Sequence, residues 1–396
     1  KYPHLIKYVN MMKGQIFNRN VASTSSKIKL TKTDFMRGWR CTKRMYLHKH
    51  KSRLGVTYTP PSLTMKHLAA QGIQVGRLAA RTLFPNGTDI VSNAAPKNRV
   101  TETRDCIEDR DCKIIYEAHF EIDDITVACD IIVYDEESES WDLYEVKSSS
   151  KAKENYILDA AMQAHVVSKI IPIRNVHLVL IDTKYENKIP ITSDLFNIVD
   201  ITSKIPKLMS NMDDVLEKYK ALIRGDDCPP EETASIGHHC MKPHVCEFRD
   251  HCWKDLDVRI QNEPNIFNLA NGKKQMWDLY YNHDIVLQSE IPEDYELTKK
   301  QQIQIEANQR GRDDVRRVVL ECCPNSIPLE YSEQVRVLDP KRLQRFLEEI
   351  QFPVFFFDIE TVQMPIPRWS ETRPYEFVPF QYVIVRHCIL CLTLNI

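Results

Sequence analysis

From 30 to 47 the apolar residues fall at helical spacing. Phe35, Trp39 and Tyr46 lie on or near one stripe, and Thr33 or Asp34 can cap the start. A second helix, rich in Ala, Leu and Val, is predicted over 63–84 and stops at Pro85-Asn86-Gly87. The period then changes. Runs at 113–122, 125–134 and 141–147 read as strands, the last two separated by an acidic turn containing Ser138 and Ser140. An amphipathic helix follows at 154–170, then a strand at 175–182 and a helix around 204–223. This order of elements predicts an α/β core of about 200 residues. Residues 1–26 are polar and irregular, 225–255 form a segment rich in Pro, Cys and His, and 259–345 read as helical and charged. Near the end, 353–359 is a short apolar run with two acids at its edge, like a central strand. The domains expected are a tail at 1–26, a catalytic unit at 27–258, a helical connector at 259–345 and a last segment at 346–396.

Composition narrows the classes. At 396 residues the chain is too long for one ordinary domain. Its 43% hydrophobic and 27% charged residues exclude a mostly disordered chain. Only 10 glycines argue against repeated phosphate-cradling glycine loops. No apolar run approaches the roughly 20 residues that span a bilayer. Residues 1–29 carry no signal-peptide core, so a cytoplasmic protein without a membrane partner is expected. The net charge of −2 hides a local bias. Lys27, Lys29, Lys32, Arg37, Arg40, Lys43, Arg44, Lys49, Lys51 and Arg53 face a single acid, Asp34, in one stretch. Such a run can neutralise phosphates on an acidic protein, or it can be a solvated basic helix.

Asp130, Glu145 and Lys147 carry the candidate chemistry. In a strand, residues two apart share a face roughly 6.6 Å apart, so Glu145 and Lys147 stand side by side while Tyr144 and Val146 face the other layer. Asp130 lies in the preceding strand, inside the apolar run 127–133. Burying such groups among β-branched residues costs several kcal/mol unless something compensates. A divalent cation would: Asp130 and Glu145 offer hard oxygens for Mg²⁺ or Mn²⁺, and Lys147 can orient or activate an attacking water. Glu145-Val146-Lys147 alone reads as an ordinary exposed ion pair. Asp130 upstream and Gln163 on the following helix make the set more specific.

The 12 cysteines have no secretory context, which argues against a disulfide scaffold. Cys240, Cys246 and Cys252 recur with five residues between each, in a segment suited to ligands converging on a metal. Cys41 is the candidate fourth ligand and Cys228 a reserve. The alternatives are a zinc site using Cys240, Cys246 and Cys252 with His238, His239, His244 or His251, and unliganded thiols. Cys106 and Cys112 read as incidental, Cys129 as core, and Cys322-Cys323 carries no signal.

The order Asp130, Glu145-Val146-Lys147, Gln163 resembles the RecB-like form of the PD-(D/E)XK nucleases. The resemblance implies a restriction-endonuclease-like α/β core with flanking helices. It also implies a metal-dependent phosphodiesterase site at Asp130, Glu145 and Lys147, with Gln163 orienting DNA or the site. The chain departs from the family at Val167, where the Gln motif has Tyr, and at Gly76, where a ligand His is common; His67 lies a turn or more away and reads as surface or packing, and Glu117, before the Asp130 strand, is the candidate substitute ligand. One cysteine before the core and three after it resemble the iron–sulfur variant of these nucleases, which implies a [4Fe–4S] cluster on Cys41, Cys240, Cys246 and Cys252. Phe355-Phe356-Phe357-Asp358-Ile359-Glu360-Thr361 resembles the first motif of DnaQ-like 3′–5′ exonucleases, where the two acids share metal ions. With the run 374–382, this points to a bacterial family of unknown function that joins the two nuclease types. The likeness covers roughly 28–382 and is lost after Tyr382, which leaves an incomplete RNase H-like segment in which no working exonuclease centre is expected. The function implied is a Mg²⁺- or Mn²⁺-dependent deoxyribonuclease, an exonuclease on single-stranded DNA that leaves 5′-phosphate ends, in DNA repair or defence. The alternative is a non-catalytic nucleic-acid-binding module with a structural zinc or iron–sulfur site.

Overall fold

The computed structural model describes residues 28–109, 111–225, 235–261, 263–309, 340–351 and 353–387. The tail at 1–26, Cys228, Cys322 and Cys323 lie outside the described residues.

The helix expected at 30–47 is a short strand β1 (Leu30–Thr31) and two helices, α1 (Lys32–Arg40) and α2 (Thr42–Leu54). Thr31 caps α1 in a reciprocal box with Asp34. Cys41 breaks the run with extended backbone, closing α1 and opening α2, where its Sγ accepts from the Arg44 N–H at 3.4 Å. Gly38 permits the close contact of α1 with its neighbours: a Cβ there would meet the Tyr219 ring at 2.7 Å and Met45 Sδ at 2.8 Å. Helix α3 (Leu63–Leu83) is capped by Ser62 and leads to β2 (Thr88–Asp89). An unforeseen helix, α4 (Arg99–Glu108), follows. Its stretch is charged, but Cys106 and Ile107 pack against the core, as does Cys112 beyond it.

Strands β3 (Ile114–Ile122) and β4 (Ile125–Asp135) form a tight hairpin. Its turn residues, Asp123 and Asp124, both have positive φ, the backbone that two-residue hairpin turns require. Strand β5 (Ser140–Val146), α5 (Glu154–Val167) and β6 (Ile173–Ile181) make a β-α-β crossover, since β5 and β6 are parallel. Strand β7 (Phe196–Asp200) was not foreseen; it adds antiparallel to β6. The helix expected at 204–223 is interrupted: Ile205–Met209 is separate from α6 (Met212–Arg224).

The result is a mixed α/β fold with a central seven-stranded sheet in the order β2-β3-β4-β5-β6-β7 and β1 alongside the start of β4. One face is packed by α1, α2, α5 and α6 through Phe35, Met45, Leu158, Met162, Leu216 and Ile223. Val75 and Ala79 of α3 cover the other face against Val146, Val179 and Ile181. Ala160, Ala161 and Ala164 are all buried, and their small side chains let α5 lie close to the sheet.

Beyond the sheet, Trp253 and Leu256 pack with Phe267, Trp277 and Val286, so 266–286 join the cysteine region in one apolar cluster. The run read as a central strand is β8 (Val354–Val362), which pairs antiparallel with β9 (Val378–His387) in a separate two-stranded sheet. Phe355, Phe356 and Phe357 are exposed on it. An apolar run is central only if layers cover both faces, and among the described residues β8 has one neighbour and no covering helix. No helix among the described residues is long and apolar enough to cross a membrane.

Candidate active site and cysteine cluster

The polar cluster lies at a fork in the sheet. Strand β1 pairs β4 as far as Thr31↔Thr126, and β5 takes up β4 only from Tyr144↔Ile131. Between these points the β4 edge has no ladder partner, and buried backbone groups there must be met by side chains. Asp130 does this, accepting the Val146 N–H on Oδ2 at 2.7 Å. The register of the pairs before it sets Asp130 opposite Glu145.

Glu145 is only 2% exposed. Its oxygens accept from Lys147 Nζ at 2.6 Å, from Lys32 Nζ at 3.2 and 3.4 Å, and from Gln163 Nε2 at 2.8 Å. Lys147 Nζ also donates to Asp159 Oδ2 at 2.5 Å, while Lys32 lies 3.9 Å from Asp159 Oδ1. Asp130, Glu145, Lys147 and Gln163 are therefore brought together. Gln163 is fully buried, with its amide turned to Glu145 and Asp159. Val167, where the family motif has Tyr, is core.

Two residues of the cluster, Lys32 and Asp159, were not singled out from the sequence. Asp159 carried a signal: it precedes Gln163 by one helical turn on an otherwise apolar stretch, so the two share a face. Lys32 was hidden inside the basic run. Glu117 is exposed in β3 but close enough to feel the charges of Lys32 and Glu145. Its backbone has φ +52° in mid-strand, an uncommon conformation for a residue with a side chain.

Burial and the charge of Glu145 push the Asp130 carboxyl up to about 7. Burial opposes the charge on Glu145 as well, but Lys32 and Lys147 outweigh it and hold this carboxylate well below its usual range. Burial also acts to discharge Lys147 and Lys32, yet Glu145 and Asp159 overcome it and both ammonium groups are held more firmly protonated. Burial raises Asp159, with Glu145 adding to the effect.

The donor set suits a hard cation, because Mg²⁺ is commonly held by one or two carboxylates with water and substrate oxygens completing the shell. Among the described residues no group of three or more His, Cys, Asp or Glu is already drawn together as a cation's ligands. The ammonium groups of Lys32 and Lys147 lie among these carboxylates instead.

The cysteines form a second cluster. Cys41, Cys240, Cys246 and Cys252 line one cavity with His239, Arg40, Lys43, Arg44 and Arg249. His238, His244 and His251 are not on its wall. Arg40 ties α1 to this segment through the His239 carbonyl at 2.8 Å and the His244 carbonyl, and Arg44 pairs with Glu247 at 2.8 Å. Burial raises the thiols of Cys41, of Cys246 to about 11 and of Cys252 to about 12. Four cysteines within a cationic rim are the residue types that a thiolate-ligated centre needs, but among the described residues they are not gathered as a metal's ligands. Cys129 is buried in the core. His67 is exposed, with Gln71 Nε2 3.2 Å from its ring, and Gly76 has open space beside it.

The basic run differs from a free phosphate-binding stripe. Arg37 and Lys49 pair with the buried Asp34, Lys29 with Glu121, and Arg53 donates to Tyr46. With Lys32, Arg40 and Arg44, most of its charges are paired with groups of the fold.

In sequence, residues 355–388 match the family described as Domain of unknown function (DUF2779). The match runs past Tyr382, where the likeness was expected to end, and β9 likewise continues to His387. No curated protein matches the chain. Among solved structures, the chain is similar to one described as "Crystal structure of SSO0001", at 12% identity and a TM-score of 0.28, covering 57% of this chain and 87% of that one. A likeness so distant carries no functional argument.

Proposed function

We propose that the protein is a Mg²⁺- or Mn²⁺-dependent deoxyribonuclease with a RecB-like PD-(D/E)XK core, acting as an exonuclease on single-stranded DNA. The observation that carries this reading is the gathering of Asp130, Glu145 and Lys147 at the sheet fork, braced by Gln163. Asp130 and Glu145 would hold the cation, with Glu117 at the rim. The bound ion would supply Lewis-acid charge at the scissile phosphate. Lys147 is held protonated, so it serves as a hydrogen-bond donor to the attacking water or the phosphate and not as a base. Gln163 and Asp159 are positioning residues that fix Glu145 and Lys147. Cys41, Cys240, Cys246 and Cys252 would hold a [4Fe–4S] cluster tying α1 and α2 to the segment after the core, with Zn²⁺ as the alternative ion.

Purified protein tests both sites. With Mn²⁺, labelled single-stranded DNA should be degraded, and Glu145→Ala and Lys147→Ala should each lower the rate at least about a hundredfold. Equal rates in the variants would refute the assignment. A brown preparation with four irons per chain, lost in Cys41→Ser, supports the cluster; colourless protein with one zinc supports the alternative. The competing reading, a non-catalytic nucleic-acid-binding module, is favoured by the two ammonium groups that already satisfy Glu145 without a metal. It predicts DNA binding without cleavage.

A further inference from the structure

Lys32 and Lys147 both pair with Glu145, but they are held differently. Lys147 is fixed in the sheet, its N–H donating to the Val179 carbonyl at 2.9 Å. Its ammonium makes short contacts to Glu145 and Asp159, and the Tyr156 ring lies 5.4 Å away. Lys32 approaches from the first residue of α1. Its ammonium sits astride both Glu145 oxygens at 3.2 and 3.4 Å, in longer contacts than those of Lys147. It also faces Asp159 at 3.9 Å and feels Asp130, while Glu117 feels its charge in turn. Lys32 thus contacts Glu145 and Asp159 and acts electrostatically on Asp130 and Glu117. A position shared by both oxygens of a carboxylate and reached by other acids is where a hard cation binds.

We propose that Lys32 is a resident counter-ion that a divalent cation must displace from Glu145 and its neighbouring acids, so that Lys32 sets the cation affinity of the site. This rests on the reading of those acids as a divalent-cation site. The displacement needs little rearrangement of the fold. Lys32 is an end-of-helix side chain, 23% exposed, and its flexible stem can turn outward while Thr31 and Asp34 keep the helix start in place. The vacated site gains one unit of negative charge close to the incoming ion.

Titration of the full chain with MnCl₂ alone, followed by calorimetry, tests the proposal. Lys32→Met should tighten the Mn²⁺ dissociation constant about tenfold or more, because the ion then has no ammonium to displace from Glu145. Lys32→Arg, which keeps the charge, should bind less tightly than Lys32→Met. A second measurement needs no variant. Labelling of wild-type protein with an amine-reactive ester, read by mass spectrometry, should rise at Lys32 when Mn²⁺ is added. If wild-type protein binds Mn²⁺ while Lys32→Met binds no more tightly, or while Lys32 labelling stays unchanged, the proposal is overturned. If neither protein binds Mn²⁺, the cation reading itself fails.

Discussion

At the scale of the residue, one step of lost alternation organises the site. In β3, Ile115 packs on one face and Tyr116 on the other, yet Ala118 and Phe120 return to the face of Ile115. In β4, Val127 and Cys129 share that face, Ile131 packs on the opposite one, and Ile132 resumes it. Both strands shift by one residue at the same place, Glu117 in one and Asp130 in the other. Such irregularities re-aim side chains at sites of function. The Asp130 carboxyl has a pH consequence. Its folded pKa, near 7, lies above the usual 3.8, so between these values the folded protein keeps a proton that the unfolded chain has lost. Without metal, this group's contribution to stability therefore falls as pH rises from about 4 to about 7 and is flat above. Melting curves at pH 6 and pH 8 should show wild-type protein losing more on the alkaline side than Asp130→Asn. An equal loss in both would contradict the assignment.

At the scale of the element, the packing of α1 links the two clusters. The helix starts with Lys32 at the carboxylates and ends at Cys41 on the wall of the cysteine cavity. Gly38 lies between them, pressed against Tyr219 of α6 and Met45 of α2. Gly38→Ala is favourable for an isolated helix, by up to about 1 kcal/mol. Here the added methyl would sit 2.7 Å from a ring carbon, and overpacking of this kind typically costs about 1–3 kcal/mol. Net destabilisation in urea unfolding is expected, together with a looser cysteine segment. A more stable variant would mean that α1 is not seated against α6 as described.

At the scale of the whole molecule, the segment matching DUF2779 leads back to the core through the stretch before β9. Ile366 and Tyr375 pack into the cluster beneath α3. Asn187 donates to the Trp369 carbonyl at 2.9 Å and from its backbone to Thr372 at 3.1 Å, and Arg373 pairs with Glu186. The Tyr375 hydroxyl reaches Ser148, next to Lys147, at 3.5 Å. Tyr375→Ala should loosen this attachment and increase limited proteolysis within 340–387, while the central sheet stays protected. Unchanged cleavage would mean that Tyr375 does not anchor the segment.

The alternation of 113–147 and the apolar runs that follow dictate the hairpin, the crossover and the helix that seals them, because period and burial are local properties. Asp130, Glu145, Lys147 and Gln163 stand out there as polar groups in apolar surroundings. Cys240, Cys246 and Cys252 stand out by type and spacing, and Cys41 only as the candidate fourth ligand. What neighbours supply could not be read from the chain. Lys32 is indistinguishable in sequence from the basic residues around it, and only the placement of β1 beside β4 brings it to Glu145. The tertiary structure alone sets the charges of that run against acids and carbonyls of the fold. It also leaves the aromatic strand β8 on an exposed sheet, since the burial of an apolar strand depends on the layers that cover it.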